Sequence, residues 1–267
     1  MLQLFFLTVP TDNPKYQLDA SIIGQNPGVG IRPGQADQKL DSSMIFLVTE
    51  GQDTEPTDDN GEGLKNADWA KRYEIFLKNY ENTTNTKENC KNLPKGEACR
   101  FDPNAILGDC AKKPYGYTTS PPEPCVLLKI NRIFGWTPQP YSDNDLEEAK
   151  TLNEDYPEDQ MPEKIYDKIK ANTNRDKIII DCQGENPFDR EKLDGKMTYF
   201  PDDQGIPFHY FPYKHAGKNY HNPLVAVKFS GLEPGVLYHI QCKLWAKDVR
   251  HSKKERAGLV HFEIFLD

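Results

Sequence analysis

The feature that most constrains this chain is a period of two in its last third. Between residues 236 and 247, Val236, Tyr238, Ile240, Cys242, Leu244 and Ala246 form an apolar row, while His239, Gln241, Lys243 and Lys247 fall on the other side. That alternation is the mark of a strand with one face buried. The same period sets Cys182 with Ile178 and Ile180, and sets Val260, Phe262, Ile264 and Leu266 against His261, Glu263 and Phe265. Further short strands are predicted within 41–49 and at 125–130, 197–200 and 224–230, joined by turns such as Leu232-Glu233-Pro234-Gly235. Many short alternating strands predict a mainly β, antiparallel sandwich. A helix is predicted over 64–80, where Trp69, Tyr73, Phe76, Leu77 and Tyr80 recur at helical spacing and form a face to pack on a sheet. No fixed-period repeat is present.

Six cysteines accompany this pattern: Cys90, Cys99, Cys110, Cys125, Cys182 and Cys242. Fifteen pairings are open to six cysteines. Strand phase turns Cys182 and Cys242 toward the core, so they read as the ends of an inter-sheet bridge closing about sixty residues, for which chain-entropy models allow ~4 kcal/mol. Local pairs, Cys90 with Cys99 and Cys110 with Cys125, would then staple the loop-rich middle. No two cysteines are spaced C-x-x-C, and all six histidines lie at or beyond His209, which argues against zinc. Asn82-Thr83-Thr84 is a glycosylation sequon, and with paired cysteines it points to an oxidising, extracellular setting.

Residues 8–38 carry four prolines and four glycines and read as an extended stalk; residues 39–267 hold the sandwich with its insertions. The acidic, proline-punctuated stretch 141–176 reads as a solvated insertion with one short helix near 163–171, and Trp136 after Gly135 reads as a core plug. The 267 residues carry 33 Lys and Arg against 41 Asp and Glu, a net charge of −8, with no basic stripe to bind nucleic acid. The longest internal apolar run, residues 44–48, is far short of the ~20 a spanning helix needs. The apolar start at residues 1–7 reads as the last turn of something longer.

The devices of catalysis are missing from the sequence: there is no G-x-S-x-G, H-E-x-x-H or phosphate-binding loop, so no enzyme and no cofactor are expected. Asp58, Asn60, Glu62 and Gly63 resemble part of a calcium loop, but its twelfth position is Trp69 in place of the bidentate Glu. His209, His215 and His221 sit among aromatic residues, and partner contacts suit them better than metal. That aromatic run, from Phe208 to His221, has Phe208, Tyr210, Phe211, Tyr213 and Tyr220 broken by Pro212 and Gly217. Rings with polar tips, supplied by a loop that cannot bury them all within a strand, predict a docking surface.

Several segments in order resemble the β subunits of the Na+/K+-ATPase and the H+/K+-ATPase. They are Pro14-Lys15-Tyr16-Gln17 with Pro27-Gly28 and Pro33; Tyr115-Gly116-Tyr117; Pro124 and Cys125 followed by Asn131-Arg132-Ile133-Phe134-Gly135-Trp136; Tyr210-Phe211-Pro212-Tyr213; Asn222-Pro223-Leu224; and Cys242. The resemblance implies an immunoglobulin-like ectodomain, glycosylated at Asn82, on a single-pass plasma-membrane protein, with residues 1–7 the remnant of its transmembrane helix. It implies bridges between consecutive cysteines: Cys90 with Cys99, Cys110 with Cys125, Cys182 with Cys242. It implies a non-catalytic subunit that assists folding, delivery and potassium transport of a catalytic α subunit, alongside a small regulatory membrane subunit. Residues implied to face α are Tyr210, Phe211, Pro212, Tyr213, Gly217, Lys218, Tyr220, Pro223 and Leu224. The alternative is a β-like adhesion or junction protein without a pump. The short first cysteine loop and the long insertion at 141–176 are more like invertebrate members.

Overall fold

The computed structural model describes residues 27–34, 44–49, 66–81, 99–151, 160–213, 220–254 and 257–267. Residues 1–7, most of the stalk, Asn82, Cys90, the residues of the calcium-like loop, His215, Gly217 and Lys218 lie outside them.

Two sheets face each other across one core. The four-stranded sheet has the order β1 (Val29–Arg32), β3 (Cys125–Ile130), β7 (Leu224–Phe229), β5 (Met197–Phe200), all antiparallel. The five-stranded sheet has the order β2 (Met44–Leu47), β9 (Leu259–Leu266), β8 (Val236–Trp245), β4 (Lys177–Gly184), β6 (Gly205–Pro207). The β-sandwich is therefore as expected, with one exception to its antiparallel character: β2 runs parallel to β9. Phe229 of β7 and Phe262 of β9 meet edge to face, 6.1 Å apart, inside the core. β1 falls within the stretch assigned to the stalk. Its four residues pair with β3 at the sheet edge, and Pro33, which has no N–H to extend a ladder, follows its last residue.

Helix α1 (Asn66–Lys78) buries Trp69, Tyr73 and Leu77, and Tyr80 just beyond it, as the spacing predicts. It also blunts the open edge of β2. The Trp69 indole donates to the Phe46 carbonyl at 2.8 Å, and the Asn66 amide brackets the backbone of Val48. Tyr73 stacks on Tyr115 and donates to the Cys110 carbonyl, tying α1 to the cysteine loop. At Gly116, with φ +77°, a Cβ would fall 1.8 Å from the Glu123 carbonyl oxygen, so this turn admits only glycine.

Helices α2 (Pro103–Ile106), α3 (Asp143–Lys150) and α5 (Pro187–Leu193) were not expected; α4 (Glu163–Ala171) was. The insertion is not solvated decoration. Leu146 and Met161 with Ile165, Tyr166 and Ile169 close over Ile179 and Trp245, forming a second apolar cluster on the outer face of β4 and β8. Ile179 and Trp245 occupy the outward phase of their strands, and apolar residues there need a cover. Ser142 and Asp145 cap α3 reciprocally.

Cys182 and Cys242 do face inward and are bonded, but not between sheets. They sit directly opposite on the neighbouring strands β4 and β8 of one sheet. A period of two fixes the face of a residue and says nothing of its neighbour strand, which is why the inter-sheet expectation fails. Cys110 is bonded to Cys125, fastening the loop after α2 to the start of β3. Cys99 is disulfide-bonded too; the partner expected for it, Cys90, is outside the described residues.

Candidate docking surface

The aromatic run leaves β6 as a single 3-10 turn, Phe208–Tyr210, and crosses the end of β3. There it meets the segment that follows β3. Phe134 and Tyr213 form an isolated parallel bridge, and the Gly135 amide donates to the Tyr213 carbonyl at 2.6 Å.

Rings then interlock from the inside outward. Tyr210 packs edge to face on Phe101 at 5.4 Å, and Phe211 on Trp136 at 5.3 Å. Trp136 is half-buried, and its indole N–H donates to Asp248 at 2.7 Å, so it seals the rim of the core and does not plug it. Tyr213 contacts Phe134 and Tyr220, and the Tyr220 hydroxyl donates to the Tyr210 carbonyl at 3.0 Å. Burial raises the pKa of Tyr220 and of Tyr210, so both hydroxyls remain protonated.

The expected docking residues divide into two sets. Tyr210, Phe211, Pro223 and Leu224 are buried within the chain, whereas Pro212, Tyr213 and Tyr220 are half-exposed and form a ledge. Of the three histidines, His209 is exposed at the turn. His221 is buried against Tyr80, its Nδ1 is 3.2 Å from the Phe101 carbonyl, and burial lowers its pKa. Among the described residues, no group of three or more His, Cys, Asp or Glu is placed to hold a metal ion.

Two residues that sequence reasoning passed over organise the ledge. Buried Asn222 donates to the Ile130 carbonyl at 2.8 Å, accepts from Arg132 Nε at 2.9 Å, and accepts the Tyr80 hydroxyl on its own carbonyl at 3.0 Å. Arg132 lies over the rings of both Tyr213 and Tyr220, at 5.3 and 5.6 Å, and its Nη2 donates to the Tyr220 carbonyl at 3.1 Å. Asn222 adjoins the aromatic run, but Arg132 lies 90 residues before it in the chain, and nothing local signals that the two meet.

The fold is thus a disulfide-fastened β-sandwich that carries an aromatic ledge at one edge. The model of the family described as sodium/potassium ATPase beta chain matches residues 1–262. Sodium/potassium-transporting ATPase subunit beta-2 of Drosophila melanogaster is 32% identical over 98% of this chain and 78% of its own length. Subunit beta-1 of the same fly is 31% identical over 100% of this chain and 79% of its own length. A probable subunit beta-3 of Caenorhabditis briggsae is 30% identical over 100% of this chain and 74% of its own length. The chain belongs to the sodium/potassium ATPase beta chain family.

Proposed function

We propose that this chain is the non-catalytic accessory subunit of a sodium/potassium-transporting P-type ATPase, binding the catalytic α subunit and assisting its folding, delivery and potassium transport. The observation that carries the reading is the family match, which runs over nearly the whole chain. The protein works at the plasma membrane with the sandwich outside the cell, where Asn82 carries a glycan and Cys90 pairs with Cys99. The stretch ahead of β1 serves as the juxtamembrane lead, and a small regulatory membrane subunit completes the assembly. Among the described residues no helix is long and apolar enough to cross a membrane.

Pro212, Tyr213 and Tyr220, with Gly217 and Lys218, face an extracellular loop of α. Tyr210, Phe211, Pro223 and Leu224 act from behind, holding the ledge in shape. Division of labour between a buried anchor row and an exposed row is how aromatic interfaces keep large contact areas rigid. Coexpression of the full chain with an α subunit tests the function. Ouabain-sensitive rubidium uptake should rise well above that of α alone. No rise, with α nonetheless at the cell surface, would contradict the reading.

A further inference from the structure

We infer that Arg132 is a recognition residue of this ledge and that the partner meets it with a carboxylate. The inference rests on the docking reading above and names the chemistry of the partner's contact.

Arg132 is exposed, yet its position is fixed from three sides. Tyr213 and Tyr220 lie beneath the guanidinium, Asn222 Oδ1 takes Nε, and the Tyr220 carbonyl takes one proton of Nη2. Among the described residues Nη1 has no partner, and with the second proton of Nη2 it forms the free end of the fork. A guanidinium presented end-on is matched in geometry by a carboxylate, which accepts two parallel N–H bonds. Little side-chain entropy remains to be lost on binding, because the ring faces and Asn222 already hold the group.

Charge points the same way. The chain carries a net −8, but this edge gathers cations. Arg32 lies over Phe76, Lys129 is on β3 opposite Gly30, and burial together with the nearby charges of Arg32 and Arg132 lowers the Lys129 pKa. Three like charges held close together on an acidic protein favour an anionic counterpart.

The test is recovery of α with the full chain from mild detergent, at matched surface expression, for wild type, Arg132→Lys, Arg132→Gln and Tyr213→Ala with Tyr220→Ala. Limited proteolysis of each chain monitors its fold. Arg132→Lys keeps a cation over the rings but loses the fork, and Arg132→Gln loses the charge. Both should lower recovery about tenfold with an unchanged proteolytic pattern, and the double tyrosine variant should lower it as well. Full recovery with Arg132→Lys and Arg132→Gln, alongside loss in the tyrosine variant, would overturn the role of Arg132 and leave the docking reading standing. Full recovery with all three would instead overturn the docking reading. Should a variant change the proteolytic pattern, wild type decides: its recovery should fall as salt rises from about 0.05 to 0.5 M, and a flat response would overturn the inference.

Discussion

The aromatic ledge and the helical insertion lie on different parts of the same sandwich, and each divides its residues otherwise than its composition suggests. The ledge reads in sequence as a docking surface, yet it buries Tyr210 and Phe211 and sets Pro212, Tyr213 and Tyr220 half in solvent. The insertion is acidic and broken by prolines and would be taken for solvent, yet it closes a buried apolar cluster over Ile179 and Trp245. The difference lies in what each leaves unmatched. The insertion spends its apolar residues on a strand face that needs covering, and its charges go outward to Lys247, Arg175 and Lys150. The ledge uses its buried row to hold a second row that stays half-exposed among the described residues. Stability belongs to the first region, and recognition is the role proposed for the second.

That contrast is breakable. The largest expected effect is in the insertion: Ile169→Ala should lower stability by about 2–5 kcal/mol, because Ile169 is buried between α4 and the sheet. Thermal unfolding of the purified complex would show it, and recovery of α with the surviving folded chain should stay unchanged. Next is Asn222→Ala, which leaves the Ile130 carbonyl and Arg132 Nε without their partner. It should cost about 1–3 kcal/mol and also weaken α recovery, joining the two properties only at the ledge.

Acid should separate the regions as well. His221 is held below its ordinary value, chiefly by burial. Between that lowered native value and about 6.5 in the unfolded chain, the unfolded state binds the proton and the native state does not. Its contribution is therefore intact at higher pH and is lost as pH falls through this window. In the insertion, hydrogen bonds from the Ser142 side chain and backbone, with Lys247, push Asp145 down to about 2. A carboxylate lowered in the folded state contributes above its unfolded value of about 3.9 and loses that contribution only as pH falls toward the native one. Melting temperature should thus fall between about pH 7 and 5 in wild type and fall less in His221→Phe. Equal slopes would remove His221 from the account. The smallest effect belongs to the surface pair of Lys113 with Glu74 on α1: Lys113→Ala should leave the melting temperature unchanged, because solvent screens an exposed ion pair.

Much of this was legible in the sequence. The alternation at 236–247 and 259–266 gives strands and their buried faces directly, and the stripe from Trp69 to Tyr80 gives α1, because both periods repeat several times. The short helices α2 and α5 span too few turns for a period to emerge. The cover over Trp245 left a trace, since Ile179 and Trp245 are apolar on the outward phase of two strands. The pairing of Cys182 with Cys242 was legible in strand phase, but its place within one sheet was not, because neighbouring strands in a sheet are chosen by topology. In the candidate site the aromatic run announced itself. Which rings turn inward did not, since that depends on Phe101 and Trp136 arriving from two distant segments.

The central claim is that the half-exposed ledge binds α. Recovery of α with the full-length chain carrying Tyr213→Ala and Tyr220→Ala, at matched surface expression, tests it most directly. Phe211 and Tyr210 are left intact in this variant because they are buried and their loss would disturb the fold. The expected result is a fall of about tenfold or more in recovered α with the melting temperature of the β chain little changed. Undiminished recovery would contradict the account.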